Sequence, residues 1–152
     1  MTATLVNMGV VKAESTQIVP ASPETVYDAL ADYTTVRPAI LPAAYSDYAV
    51  VEGGTGAGTV VTYRLSAAGR QRDYRMQVVN AEAGHRLVEQ DPQSSLSTTW
   101  ALAPVGGGTR VTVTTTWQGA GGIGGFFEGI FAPLGVRRLQ SETLRNLAAR
   151  LA

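Results

Sequence analysis

From Tyr45 to Trp117 the chain is built of short runs rich in Val, Thr and Tyr, cut repeatedly by glycine clusters. Branched and aromatic side chains favour extended backbone, and the glycines allow the positive φ angles of tight turns. This pattern predicts six successive strands: Tyr45–Glu52, Gly58–Ala67, Arg70–Ala81, His85–Gln90, Ser95–Ala103 and Thr109–Trp117. The connections GGTGAG, AAG, EAG, DPQS and PVGGG suit hairpins, so the natural arrangement is an antiparallel meander.

Because side chains alternate across a strand, each run divides between two faces. Val61, Tyr63 and Leu65 fall on one side, followed by Tyr74, Met76 and Val78, then Leu96, Trp100 and Leu102, then Val111, Val113 and Trp117. Opposite them lie Arg64, Asp73, Arg75, Gln77, Ser97, Thr99, Thr112 and Thr114. Such a sheet is wet on one side and needs a cover on the other.

The two ends of the chain supply the remaining elements. Val11, Ile18 and Val19 spaced among polar residues before Pro20 predict a first strand. Ser22 as N-cap, Pro23 in the first turn, and Val26, Tyr27 and Leu30 on one face predict a short amphipathic helix. Tyr33 to Leu41 adds helical character that Pro38 interrupts. From Gly125 to Ala152, Phe127, Ile130, Phe131, Leu134, Leu144, Leu147 and Leu151 recur at helical spacing, with a kink or break expected near Pro133 and Gly135. This long helix is the expected cover, and 152 residues suit one domain, with residues 1–8 a candidate disordered N-terminus.

Composition narrows the partners. Lys+Arg and Asp+Glu both total 12, so no net field draws the molecule to nucleic acid or an anionic membrane. Only 16% of residues are charged while 45% are hydrophobic, which favours a large interior or an apolar partner. The absence of cysteine excludes thiolate chemistry and cysteine-based metal sites. With a single histidine, His85, expected exposed in a turn, a histidine-rich metal site is excluded too, and no cofactor is expected. No secretion signal or apolar run long enough for a membrane span is visible, so a cytoplasmic location without stable membrane insertion is the expectation.

The order of these features resembles the START-related SRPBCC superfamily, in particular its polyketide cyclase/dehydrase and lipid-transport branch. The resemblance runs over nearly the whole chain and is carried by ASPETVYDALADYTTV, GAGTVVTYRL, GHRLVE, ALAPVGGGTRVTVTTTW and APLGVRRLQSETLRNLAARL. It implies an α+β helix-grip fold: a strand, two short helices, six strands and a long helix, with a ligand cavity between sheet and long helix. It implies no single reaction, since its members look like lipid carriers, hormone receptors, aromatase/cyclases or adaptors. The chain departs from many relatives at Arg37-Pro38, where they place an aromatic residue.

Several candidate chemistries compete with plainer readings. Gly119 to Gly124, GAGGIG, matches the spacing of a dinucleotide-binding loop, but too little chain follows for a returning parallel strand, and a hinge into the long helix is preferred. Arg64, Arg70, Arg72 and Arg75 with interleaved tyrosines suggest a nucleic-acid surface, yet alternation points Tyr74 away from Arg75, and no nucleic-acid partner is expected. Asp28 and Asp32 share a helix face that reads as solvated. Glu89 shares a face with Leu87; if that face is inward, a carboxylate enters the cavity, with Tyr74 and Arg72 as candidates to polarise a carbonyl. The plainer reading pairs Glu89 with an arginine at the sheet edge. Catalytic candidates are therefore Glu89, Tyr74 and Arg72, and candidate ligand-binding residues are Tyr63, Tyr74, Met76, Trp100, Trp117, Phe127, Phe131 and Leu134. The expected function is binding or carrying a hydrophobic or polycyclic molecule, with an aromatase/cyclase and a protein-interaction adaptor as alternatives. Oligomeric state is left open.

Overall fold

The computed structural model describes residues 10–67, 69–118 and 133–152. Seven strands form one antiparallel sheet: β1 Val10–Val19, β2 Tyr45–Glu52, β3 Val60–Ala67, β4 Arg70–Glu82, β5 Arg86–Gln90, β6 Ser97–Val105 and β7 Gly108–Gln118. Their order is β1-β7-β6-β5-β4-β3-β2, so β2 to β7 form a meander and β1 returns to pair with β7. Two short helices, α1 Pro23–Ala31 and α2 Val36–Ile40, link the opposite edges β1 and β2, and α3 Pro133–Leu151 packs against β1, β7 and α2. This is the helix-grip arrangement, with strand ends within two residues of those expected.

Local chemistry explains the elements. Ser22 caps α1 by accepting from the Thr25 amide at 3.2 Å, and Pro23 takes the first helical position, where an N–H has no helical acceptor. Pro38 does not break α2, because a helix of five residues places it in the first turn. Asp32 is not simply solvated: its Oδ1 accepts from the amides of Thr34 at 3.1 Å and Thr35 at 2.9 Å and shapes the bend between the helices, whereas Asp28 is exposed. Gly106 and Gly107, with φ of 43° and 99°, form the two-residue turn between the paired Val105 and Gly108.

The expected kink in the long helix is absent from its described part. Pro133 is the first described helical residue, and Gly135 lies within a stretch of helix that continues unbroken to Leu151. The GAGGIG segment lies outside the described residues.

Cross-strand register aligns the inward residues into rows. Leu87 faces Trp100, which faces Val113; one step along, Val78, Glu89, Thr98 and Thr115 form a parallel row. Onto these rows α3 turns Val136, Gln140, Thr143, Leu144 and Leu147. Gln140 ties helix to sheet: its amide donates to the Ala13 carbonyl and to Thr115 Oγ1, each at 3.1 Å, and its Oε1 accepts from Ser15 at 2.9 Å. A buried amide with these partners carries little desolvation penalty and fixes the helix register.

The end of β1 crosses close over the start of β7, and a Cβ added at Gly108 would stand 2.6 Å from the Val19 carbonyl oxygen. Gly108→Ala therefore forces backbone apart, and a loss of about 1–3 kcal/mol is expected, the usual range for overpacking. Urea denaturation checks this: the midpoint should fall with an unchanged m-value.

Candidate functional site

Alternation on β5 turns Leu87 and Glu89 inward, and both are buried. Glu89 therefore requires partners. Its Oε2 accepts from Arg37 Nη2 at 2.6 Å and from the Tyr33 hydroxyl, and its Oε1 accepts from Trp100 Nε1 at 3.2 Å. Arg37 is 5% exposed, and its Nε donates to the Leu30 carbonyl at 2.7 Å near the end of α1. Its guanidinium carbon lies over the Tyr33 and Trp100 rings, 4.6 and 4.5 Å from their centroids, so cation–π attraction to both adds to the ion pair.

Besides its hydrogen bond to Glu89, three contacts hold Tyr33 in place. Its amide donates to the Gly54 carbonyl at 3.0 Å, its own carbonyl accepts from the Tyr48 hydroxyl at 2.6 Å, and its hydroxyl accepts from Arg37 Nη2 at 3.2 Å. The GGTGAG segment, expected only as a hairpin connection, thus also docks on the end of α1, where the Gly56 amide donates to the Ala31 carbonyl at 3.1 Å.

The cluster forms one corner of a cavity of about 90 Å³ between the sheet and α3. That is room for several waters, so the interior is not filled by side chains here. Val61, Met76, Leu96 and Val113 give it apolar walls; Thr98, Thr115 and Gln140 form a polar band on another side, linked by a 3.0 Å contact between the two threonine hydroxyls. Tyr45 and Tyr63, with ring centroids 5.1 Å apart, complete the wall beside Tyr48.

A profile of the family described as polyketide cyclase / dehydrase and lipid transport matches residues 10–152. The chain belongs to that family. Its fold is similar to the solution structure of KanY, with 49% identity over 94% of this chain and 98% of the other and a TM-score of 0.83. It is also similar to the Zhui aromatase/cyclase from Streptomyces sp. R1128, with 16% identity, 93% of each chain covered and a TM-score of 0.72. Major latex-like protein 151 from Panax ginseng gives 13% identity, coverage of 94% and 98%, and a TM-score of 0.73. No curated protein matches the chain in sequence.

Within this member of the polyketide cyclase/dehydrase and lipid-transport family, the residues singled out from sequence fall into distinct places. Tyr63, Met76, Trp100 and Glu89 line the cavity. Tyr74 and Arg72 do not join Glu89: on β4 they lie four and six residues from Val78, the residue opposite Glu89, or about 13 and 20 Å along an extended strand. Instead the Arg72 guanidinium lies over the Tyr74 ring at 5.1 Å. Trp117 is buried in the core rather than in the cavity wall. Leu134 is 60% exposed, because it sits two residues, hence about 200° of helical turn, from the inward Val136. Phe127 and Phe131 lie outside the described residues. His85 is exposed in the β4–β5 turn.

Sequence reasoning missed Tyr33, Arg37, Tyr45, Tyr48, Thr98, Thr115 and Gln140. A signal for Arg37 did exist: it is the lone charge in an apolar segment, four residues after Tyr33 and three before Ile40, and so on the buried face. The partner of Glu89 is thus an arginine from a helix and not one at the sheet edge.

The same burial acts on the phenols. All six tyrosines are shifted upward, chiefly by burial. Tyr45 and Tyr48 are each pushed up to about 12, burial and the charge of Glu89 raising them while Arg37 partly offsets the rise. The native state then holds phenolic protons that the unfolded chain, titrating near 10, has released. Stability from these groups is complete below about pH 10 and is lost as pH rises from about 10 towards 12. Absorbance at 295 nm should show little tyrosinate near pH 10 and a steep rise coinciding with loss of near-ultraviolet circular dichroism.

Removing one member of the buried pair strands the other charge. Arg37→Met or Glu89→Leu alone should cost about 3–5 kcal/mol, whereas Arg37→Met with Glu89→Leu should recover most of that loss. Urea denaturation of the three variants is the check.

Proposed function

We propose that this chain binds an apolar small molecule, of lipid or polyketide-like character, in the cavity between the sheet and α3. The observation that carries this reading is the contrast within that cavity: apolar walls that gain from burying hydrocarbon, and one corner of converging polar groups that orients what is bound. Family membership and the likeness to an aromatase/cyclase fold support it. At about 90 Å³ the cavity holds a small fragment as it stands, so a polycyclic ligand requires outward movement of its walls.

Carrying is favoured over turnover by the state of Glu89. Its oxygens already accept from Arg37, Tyr33 and Trp100, so abstracting a proton from substrate would require one of these donors to leave. One observation favours the cyclase reading: Arg37 and the tyrosines line the cavity as donors, the kind of group that stabilises a developing oxyanion. No described helix is long and apolar enough to cross a membrane.

Native mass spectrometry of protein purified without detergent tests the proposal. A discrete apolar adduct, released on denaturation and recovered by organic extraction, is the expected result. Consistently adduct-free protein that also fails to take up apolar probes would overturn it. Glu89→Gln separates the two uses of the cavity, since a carrier should retain its adduct in that variant whereas a cyclase should lose product formation.

A further inference from the structure

The polar corner contains more donors than the protein uses. Arg37 Nε and Nη2 are engaged by Leu30, Glu89 and Tyr33, but Nη1 makes no hydrogen bond to any described residue. The hydroxyls of Tyr45 and Tyr63 likewise have no hydrogen-bond partner among the described residues. All three residues line the cavity. A buried donor left without an acceptor is costly, so these groups have a use only when something in the cavity accepts from them.

Charge limits what that acceptor is. Among the described residues lining the cavity, Arg37 and Glu89 are the only ionised side chains, and they neutralise each other at 2.6 Å. A bound carboxylate would therefore bring an uncompensated negative charge into a buried site, whereas a ketone, ester or amide oxygen would accept the same hydrogen bonds without that penalty. Resting on the binding function proposed above, we infer that the ligand is an uncharged molecule whose buried end is a carbonyl-type acceptor held by Arg37 Nη1 and the Tyr45 and Tyr63 hydroxyls, and that free carboxylic acids are discriminated against.

Three probes sharing one ring system separate the effects: 2-acetylnaphthalene, 2-ethylnaphthalene and 2-naphthoate at pH 7, titrated into 15N-labelled protein. The Trp100 indole N–H, which donates to Glu89, reports occupancy of the corner directly. The ketone is expected to bind at least about tenfold more tightly than either of the others, which corresponds to one good neutral hydrogen bond or more. Equal affinity for ketone and hydrocarbon, or tightest binding of naphthoate, would overturn the inference while leaving the apolar binding function intact. Failure of all three to move the Trp100 signal at millimolar concentration would overturn both.

Two variants sharpen the test. Glu89→Gln leaves Arg37 uncompensated and should raise naphthoate affinity about tenfold or more, with the ketone changing by less than about threefold. Should that variant fail to fold, Arg37→Met with Glu89→Leu keeps the corner neutral and packed. It should still bind 2-ethylnaphthalene, but with only the two tyrosine hydroxyls left its preference for the ketone should shrink at least about threefold; a preference as large as that of the unaltered protein would overturn the inference.

Discussion

Two opposite charges are held out of water where the helical connection meets the sheet. Glu89 comes from near the end of β5 and Arg37 from α2, 52 residues earlier, and their 2.6 Å contact ties the connection between β1 and β2 to the floor of the sheet. Such a pair gives weak net stability, because desolvating both ions costs about as much as their attraction returns. Its effect is geometric. Neither side chain can leave without stranding the other, so Tyr33, Trp100 and the end of α1 are held at one corner of the cavity.

The rest of the structure serves that corner from two directions. From one side, the β2–β3 loop and Tyr48 grip the backbone of Tyr33. From the other, Gln140 on α3 reaches β1 and β7 through hydrogen bonds to Ala13, Ser15 and Thr115, fixing the helix that closes the space. Between these supports a volume remains that neither sheet nor helix fills. Apolar residues at facing positions along β3, β4, β6 and β7 line part of its wall, and Tyr33, Arg37 and Trp100 gather around Glu89 at one corner.

Much of the architecture was legible from the chain alone because it rests on local periodicity. The Val/Thr/Tyr alternation and the glycine turns marked all six meander strands, and the Ser22-Pro23 start marked α1. Alternation also put Glu89 on the face of Leu87, and the burial of Leu87 makes that face the inner one. What the pattern could not supply was register across strands. Tyr74 and Arg72 share a face with Val78, and face alone cannot show that they lie several residues along β4 from the row containing Glu89. Leu134 failed for a related reason, since hydrophobicity placed it with the helix's apolar residues and only packing showed which arc of α3 turns inward.

The sequence by itself therefore determined the sheet, the covering helix and the sharing of one strand face by Leu87 and Glu89, because backbone preference and side-chain period act over a few neighbouring residues. Only the tertiary structure decided the identity of the site. It brought Tyr33 and Arg37 against Glu89 across more than fifty residues of chain, and set Arg37, Tyr45 and Tyr63 around one cavity. The physical reason is that ion pairs and cavities depend on distances between elements, and no local pattern in a chain encodes those distances.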